Sequence, residues 1–334
     1  TRPYAFLLAH CVLGLLTCLF IAATARRLFG DRAGVVALVL TLFYPYFIFY
    51  AGYFYRETFL CCVLSAALYV LGTLLDDPRP RTGLAAGLLM GACSATFSSW
   101  IPIGAAVSAW VVWKLWRLDR ACVAAVYLAV WAVLPGAWIL RNGLVFGRFI
   151  PGSTLGGFNF YTALVVPEEY RGTSREIEFE RADPAWSRII QMSSLMTDDG
   201  SQQAAFFQAA LARIRARPGE YLAHAFKQAL KLWRFYPYPR QYQHSYAWIK
   251  AVSLLSDGWL IPLGLLGLWL FRKRSPQMAL FAVLLLCATG CYAFLSAIVR
   301  YRLPLMIPLI VTASAVVAAA WDEAERARAR SSRP

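Results

Sequence analysis

Three short stretches pair basic residues with groups able to act in catalysis. The first is Arg56–Glu57 in FYRETFL. A carboxylate there could orient an acceptor, bind a metal or hold a cationic partner. It could equally open a helix, where the dipole favours negative charge. The second is Arg141–Asn142 in WILRNGLVFGRF. Here the alternatives are a binding role, or an arginine reaching toward lipid headgroups beside an ordinary Asn-Gly turn. The third is Arg300-Tyr301-Arg302 in AIVRYRLPLMIPL. The planar guanidinium presents several donors to phosphate oxygens, so two arginines one residue apart suit a phosphate clamp, with headgroup anchoring as the rival. Lys227 and Lys231 follow with a four-residue spacing, near Trp233 and Phe235.

Other titratable groups carry weaker signals. His10 stands alone in an apolar stretch, and His224 and His244 lack metal-ligand spacing. Asp198-Asp199-Gly200 reads as a loop cluster without the rest of a calcium loop. No Walker loop, GxSxG or HExxH motif occurs, which disfavours an ATP-driven cytoplasmic machine.

The elements that must position these residues are membrane spans. The 334 residues are 59% hydrophobic and only 15% charged, against roughly 25% charged in a soluble domain. Mean hydropathy is +0.52. The net charge of +15 falls in small clusters separated by long uncharged runs, the pattern of a polytopic membrane protein rather than of a nucleic-acid binder. All eight cysteines lie in apolar stretches and no CxxC occurs, so neither a disulfide scaffold nor structural zinc is indicated.

With about 20 apolar residues needed per helix, the sequence predicts nine spans: 4–24, 34–53, 57–75, 83–98, 100–116, 121–140, 251–271, 277–298 and 303–321. Two pairs, 34–53/57–75 and 83–98/100–116, read as tight helical hairpins. The division is residues 1–141 as six transmembrane helices, 142–249 as an extracytoplasmic region, and 250–334 as three further helices with a basic tail. Alternate ends carry fifteen Lys/Arg (Arg26, Arg27, Arg32, Arg79, Arg81, Lys114, Arg117, Arg120, Arg272, Lys273, Arg274, Arg326, Arg328, Arg330 and Arg333). The opposite short ends carry five, namely Arg2, Arg56, Arg141, Arg300 and Arg302. The positive-inside rule then puts the C-terminus in the cytoplasm and Thr1 outside. An outside start without a basic leader suggests a missing first span.

Within 142–249, GSTLGGFNFY (152–161) reads as a glycine-rich loop. Residues 202–235 are predicted helical, with Pro218 opening a second helix that lies along the membrane surface. The aromatic run 236–248 suits the interfacial belt.

The order of these pieces resembles the bacterial GT-C membrane glycosyltransferases, relatives of the dolichyl-phosphate-mannose–protein mannosyltransferases and the lipid A aminoarabinose transferases. ARRLFGDRAGVVAL resembles their first cytoplasmic turn, and FYPYFIFYAGYFYRETFL their outer hairpin with an acidic residue at the next helix start. LPGAWILRNGLVFGRFIPGSTLGGFNFY is the most specific similarity; RARPGEYLAHAFKQALKLW and RYRLPLMIPLIV complete the order.

The resemblance implies an all-α bacterial inner-membrane enzyme that transfers a hexosyl or pentosyl group, with inversion, from a polyprenyl-phosphate donor at the outer face. The acceptor would be a lipid, protein or glycan. No covalent cofactor is implied, and divalent-metal use is left open. By the same resemblance Glu57 takes the acidic site, Arg300, Arg302 and Arg141 the donor phosphate, and Arg56, Asn142, Tyr301, Lys227 and Lys231 the substrate. The family's catalytic aspartate lies between its first two spans, a segment upstream of Thr1, and residues 1–30 hold no Asp or Glu. The competing readings are a non-catalytic handler of lipid-linked sugars, such as a flippase or polymerase partner, and a transporter, for which Gly91–Thr96 is the one hint of a broken helix.

Overall fold

The computed structural model describes residues 2–53, 55–167, 170, 174–193, 198–237 and 245–331. Thr1, His244, Arg333 and residues 238–244 of the aromatic run lie outside the described residues. Described residues in regular elements are helical throughout, as an apolar chain without water to satisfy its backbone requires.

The chain enters as α1 (Arg2–Phe29), turns, and returns as α2 (Asp31–Leu42) and α3 (Pro45–Ala51), which bend by 52° at the break. Next come α4 (Glu57–Asp76), α5 (Pro80–Thr96), α6 (Trp100–Arg117) and α7 (Ala121–Phe146). Five helices then precede the return to the bundle: α8 (Gly156–Val165), α9 (Ser174–Ala182), α10 (Pro184–Ser193), α11 (Asp199–Ala216) and α12 (Pro218–Leu232). The bundle closes with α13 (Tyr246–Leu270), α14 (Pro276–Phe294), a 3₁₀ connector at Val299–Leu305, and α15 (Met306–Ser331).

Six helices among the described residues are long and apolar enough to cross a membrane, and the bent α2–α3 pair makes a seventh. The protein is therefore a multi-pass membrane protein. The two remaining spans expected from the sequence coincide with α5, of only 17 residues, and α6, which carries four tryptophans and ends on Lys114 and Arg117. Both stand in the bundle, but they are shorter or more polar than the rest.

Helix starts follow the sequence chemistry. Proline occupies the first turn of α3, α5, α12 and α14, where its missing N–H costs nothing. The Ser275 side chain accepts from the N–H of Gln277. The Asp198-Asp199-Gly200 cluster is a helix cap: Asp198 accepts from the Ser201 N–H at 2.8 Å and opens α11.

Helix packing relies on small residues, because lipid offers no hydrophobic drive for association. In α5, Gly87 and Gly91 face α7 so closely that an added Cβ would sit 2.6 Å from the Tyr127 carbonyl oxygen and 2.8 Å from that of Trp131. Gly91 thus belongs to a helix contact, and α5 runs unbroken to Thr96. The arginine-rich helix ends gather on one side. There Arg27 reaches Thr73 and Gln277, and Arg32 pairs with Asp322 and Glu325 at 2.5 and 2.7 Å.

The expectation that 152–161 is all loop is corrected. Its second half is the start of α8, because Gly157 lets that helix lie directly on α11; a Cβ there would meet the Gln203 carbonyl oxygen at 2.2 Å. Phe158, Phe160 and Tyr161 then close a small separate core around the fully buried Phe206. On α12, Leu222, Phe226 and Leu230 recur every fourth residue and are all exposed, forming an apolar stripe suited to lying in a membrane surface.

Candidate functional site

The α3–α4 turn and the connector before α15 meet at the bundle end opposite the arginine-rich one. Glu57 is the first residue of α4 and is 2% exposed. Its Oε1 lies 2.7 Å from Nε of Arg300, which is part-exposed. The approach is oblique, an ion pair without the alignment of a hydrogen bond. The Arg300 guanidinium also stacks over the ring of Tyr55 at 4.6 Å. Two residues 243 positions apart, each singled out from its own motif, are therefore partners.

Around them stands a wall of aromatic rings supplied by the α3 hairpin. Tyr46 stacks near Tyr50, Phe49 lies 4.7 Å from Tyr53, and Tyr53 faces Tyr55 at 5.9 Å. Tyr301 stacks on Tyr292 at 5.0 Å, fixing the connector to α14. Arg56 turns away from Glu57, donates to the Thr96 carbonyl at 3.1 Å and covers the Phe97 ring. It ties the hairpin to the end of α5.

Arg302 points the other way from Arg300 and is 1% exposed. It pairs with Asp257 in the middle of α13 and donates to the backbone carbonyls of Leu232 and Arg234. Asp257, fully buried, also accepts from the Tyr44 hydroxyl at 2.7 Å. The expected two-arginine clamp is thus divided: Arg302 is held in an internal network and Arg300 faces the open side. Sequence reading missed Asp257, although a lone carboxylate inside an apolar span is itself the signal.

The Arg141–Asn142 pair serves the other end of the site's frame. Asn142 is buried and donates to the carbonyls of Ile150 and Gly152 at 2.9 and 3.0 Å, closing the turn after α7. Arg141 donates to Asn142 at 3.0 Å and stands over Trp138 and Phe146. Ser98 accepts from the Ser153 N–H at 2.8 Å, bringing this turn against the α5–α6 turn.

Lys227 and Lys231 divide as the two arginines do. Lys231 is buried and reaches Gln228 at 3.4 Å, whereas Lys227 is exposed and lines a cleft of about 340 Å³ between α8, α11 and α12. Among the described residues no group of three or more His, Cys, Asp or Glu could hold a metal.

Residues 3–139 match the model of the family described as dolichyl-phosphate-mannose-protein mannosyltransferase. Over this segment, less than half of the chain, the sequence is similar to that family. The archaeal oligosaccharyltransferase AglB from Archaeoglobus fulgidus, solved with an inhibitory peptide and a dolichol-phosphate, superposes with TM-score 0.52 at 16% identity, covering 97% of this chain and 40% of that one. ArnT from Cupriavidus metallidurans gives 0.34 in the apo state and 0.37 bound to undecaprenyl phosphate, both at 18% identity and 92% of this chain. The chain spans 62% and 63% of those two proteins. No curated protein matches.

Proposed function

We propose that this protein is a membrane glycosyltransferase of the GT-C type, serving the transfer of a sugar from a polyprenyl-phosphate donor to an acceptor lipid, protein or glycan at the outer face of a bacterial inner membrane. The observation that carries the reading is the Glu57–Arg300 ion pair at the mouth of the bundle, beneath a wall of tyrosines. The arginine-rich opposite end supports a cytoplasmic C-terminus, which puts this pair outside.

In the proposed reaction the acceptor oxygen bonds to the anomeric carbon and gives its proton to the Glu57 carboxylate, while the bond to the lipid phosphate breaks and the phosphate leaves with the electron pair. Charge builds on that phosphate, so a fixed cation beside it lowers the barrier most. Arg300 is the cation in position. Its oblique pairing with Glu57 leaves guanidinium donors free for phosphate oxygens. A phosphate that draws Arg300 toward itself releases Glu57 to orient the acceptor hydroxyl. Arg302 and Asp257 act as positioning residues that fix the connector, while Tyr301, Arg56, Asn142 and Arg141 hold the frame around the opening.

The dolichol-phosphate bound in the AglB structure fits a lipid-phosphate donor here. The test is a deletion strain followed by lipid extraction. It should accumulate a polyprenyl-phosphate-linked sugar that the wild-type gene clears and Arg300→Gln does not. An unchanged lipid profile in the deletion strain would sink the reading, as would accumulation confined to the inner leaflet, the result expected of a flippase partner.

A further inference from the structure

The cleft between α8, α11 and α12 is not used by the proposed transfer step. Its lining joins apolar groups from Leu164, Ile214, Tyr221 and Ala223 to the cations Arg213, Arg217 and Lys227. Two carboxylates answer these cations. Asp183 takes Arg213 at 3.0 Å, and Glu220 takes Arg217 at 3.3 Å. The second pair is solvent-exposed on both sides, so it holds little energy and opens easily for a stronger anion. Arg213, which also reaches the Tyr161 hydroxyl, keeps further donors. Lys227 has no ion-pair partner among the described residues.

The cleft is also wired to the connector that carries Arg300. Tyr221 donates its hydroxyl to the Phe294 carbonyl at 2.6 Å. His224 at the cleft wall hydrogen-bonds Gln228 at 3.0 Å, and Gln228 accepts from the Ala297 N–H at 3.1 Å. The wall therefore rests on the segment that runs directly into Arg300.

We propose that this cleft is a binding site for the phosphate group of a phosphorylated saccharide. The volume, about 340 Å³, is of the size that holds a monosaccharide unit. Lys227 and Arg217 bind the phosphate, Arg213 flanks it, and Tyr221 and Ile214 receive the apolar face of the sugar ring. The site deepens the transfer reading by adding an anionic saccharide to its ligands, and it can be tested without transfer, so either idea can fail alone.

Two sources share this chemistry: a phosphosugar presented from water, and one linked to lipid. The full chain in phosphatidylcholine nanodiscs is titrated with glucose 1-phosphate, with glucose as control, and in a second arm the nanodiscs contain undecaprenyl phosphate. Saturable glucose 1-phosphate binding, absent for glucose and weakened on the order of tenfold by Lys227→Gln, supports a water-borne ligand. Lys227-dependent retention of undecaprenyl phosphate alone supports the lipid-linked source. Lys227→Arg should restore binding, and an unchanged melting midpoint shows that the variants fold. If neither probe binds, or if Lys227→Gln and Arg217→Gln leave both affinities within twofold of wild type, the proposal is overturned.

Discussion

Arg302 and Asp257 form a fully buried ion pair that joins the connector before α15 to the middle of α13. The pair is completed from outside itself, by the Tyr44 hydroxyl on the carboxylate and two backbone carbonyls on the guanidinium. Four separate segments therefore depend on one buried contact. Removing one partner strands the other charge in an apolar bundle, so Arg302→Ala should destabilise the protein by about 3–5 kcal/mol. Thermal unfolding of the purified protein in detergent measures this. A midpoint equal to wild type would show that the pair does not hold the fold. The double change Arg302→Met with Asp257→Leu should cost less than either single charge removal, because no charge is left unpaired.

Arg300 should behave differently, because it is part-exposed and pairs obliquely. Arg300→Gln leaves the buried Glu57 carboxylate without its cation, so it should lower the unfolding midpoint, though by less than Arg302→Ala, while lowering donor turnover by about 10²–10³, the usual loss of a positioned transition-state donor. Arg300→Lys should recover only part of it, since an ammonium lacks the planar fork. Turnover of a radiolabelled polyprenyl-phosphate sugar in membranes reads the effect.

Asn142 closes the turn after α7 by donating to the carbonyls of Ile150 and Gly152, the second of which also accepts from the Trp138 indole at 3.1 Å. Asn142→Ala leaves the Ile150 carbonyl without this donor and the Gly152 carbonyl with Trp138 alone, and should cost about 1–3 kcal/mol. Asn142→Asp should be no better, since an ionised carboxylate cannot donate to a carbonyl. Faster proteolytic cleavage within 147–155 is the expected readout, and unaltered cleavage would dismiss the role.

Gly157 marks where α8 touches α11. Gly157→Ala drives a methyl to 2.2 Å from the Gln203 carbonyl oxygen, which is backbone and cannot swing away. The helix pair must separate, at about 1–3 kcal/mol. Loss of protection in hydrogen exchange across α8 and α11, with the transmembrane helices unaffected, is the expected pattern.

The cap of α11 gives a pH dependence. The Ser201 hydroxyl and backbone N–H hold the Asp198 carboxyl below the ordinary aspartate range. A depressed folded-state value means that the unfolded chain binds the proton more readily. The cap's contribution is therefore fully present above the ordinary aspartate range and is lost as pH falls through the depressed value. Protease sensitivity at the start of α11 should rise on acidification, and Ser201→Ala should shift that rise toward higher pH.

Much of this protein is legible in its sequence. Most of the spans follow from apolar runs, and the start of α12 from Pro218, because these are properties of composition and local periodicity. The same local signals marked Glu57, Asn142 and the two connector arginines. They did not say which residues face one another. Arg300 and Arg302 are two residues apart with the same side chain, yet only the packing of α13 against the connector gives Arg302 to Asp257 and leaves Arg300 for Glu57. The loop expected at 152–161 failed for a related reason, since only contact with α11 makes Gly157 a helix residue. Burial and charge pairing are set by neighbours distant in the chain, and a bilayer-embedded bundle makes them decisive, because an unpaired charge there has no water to turn to.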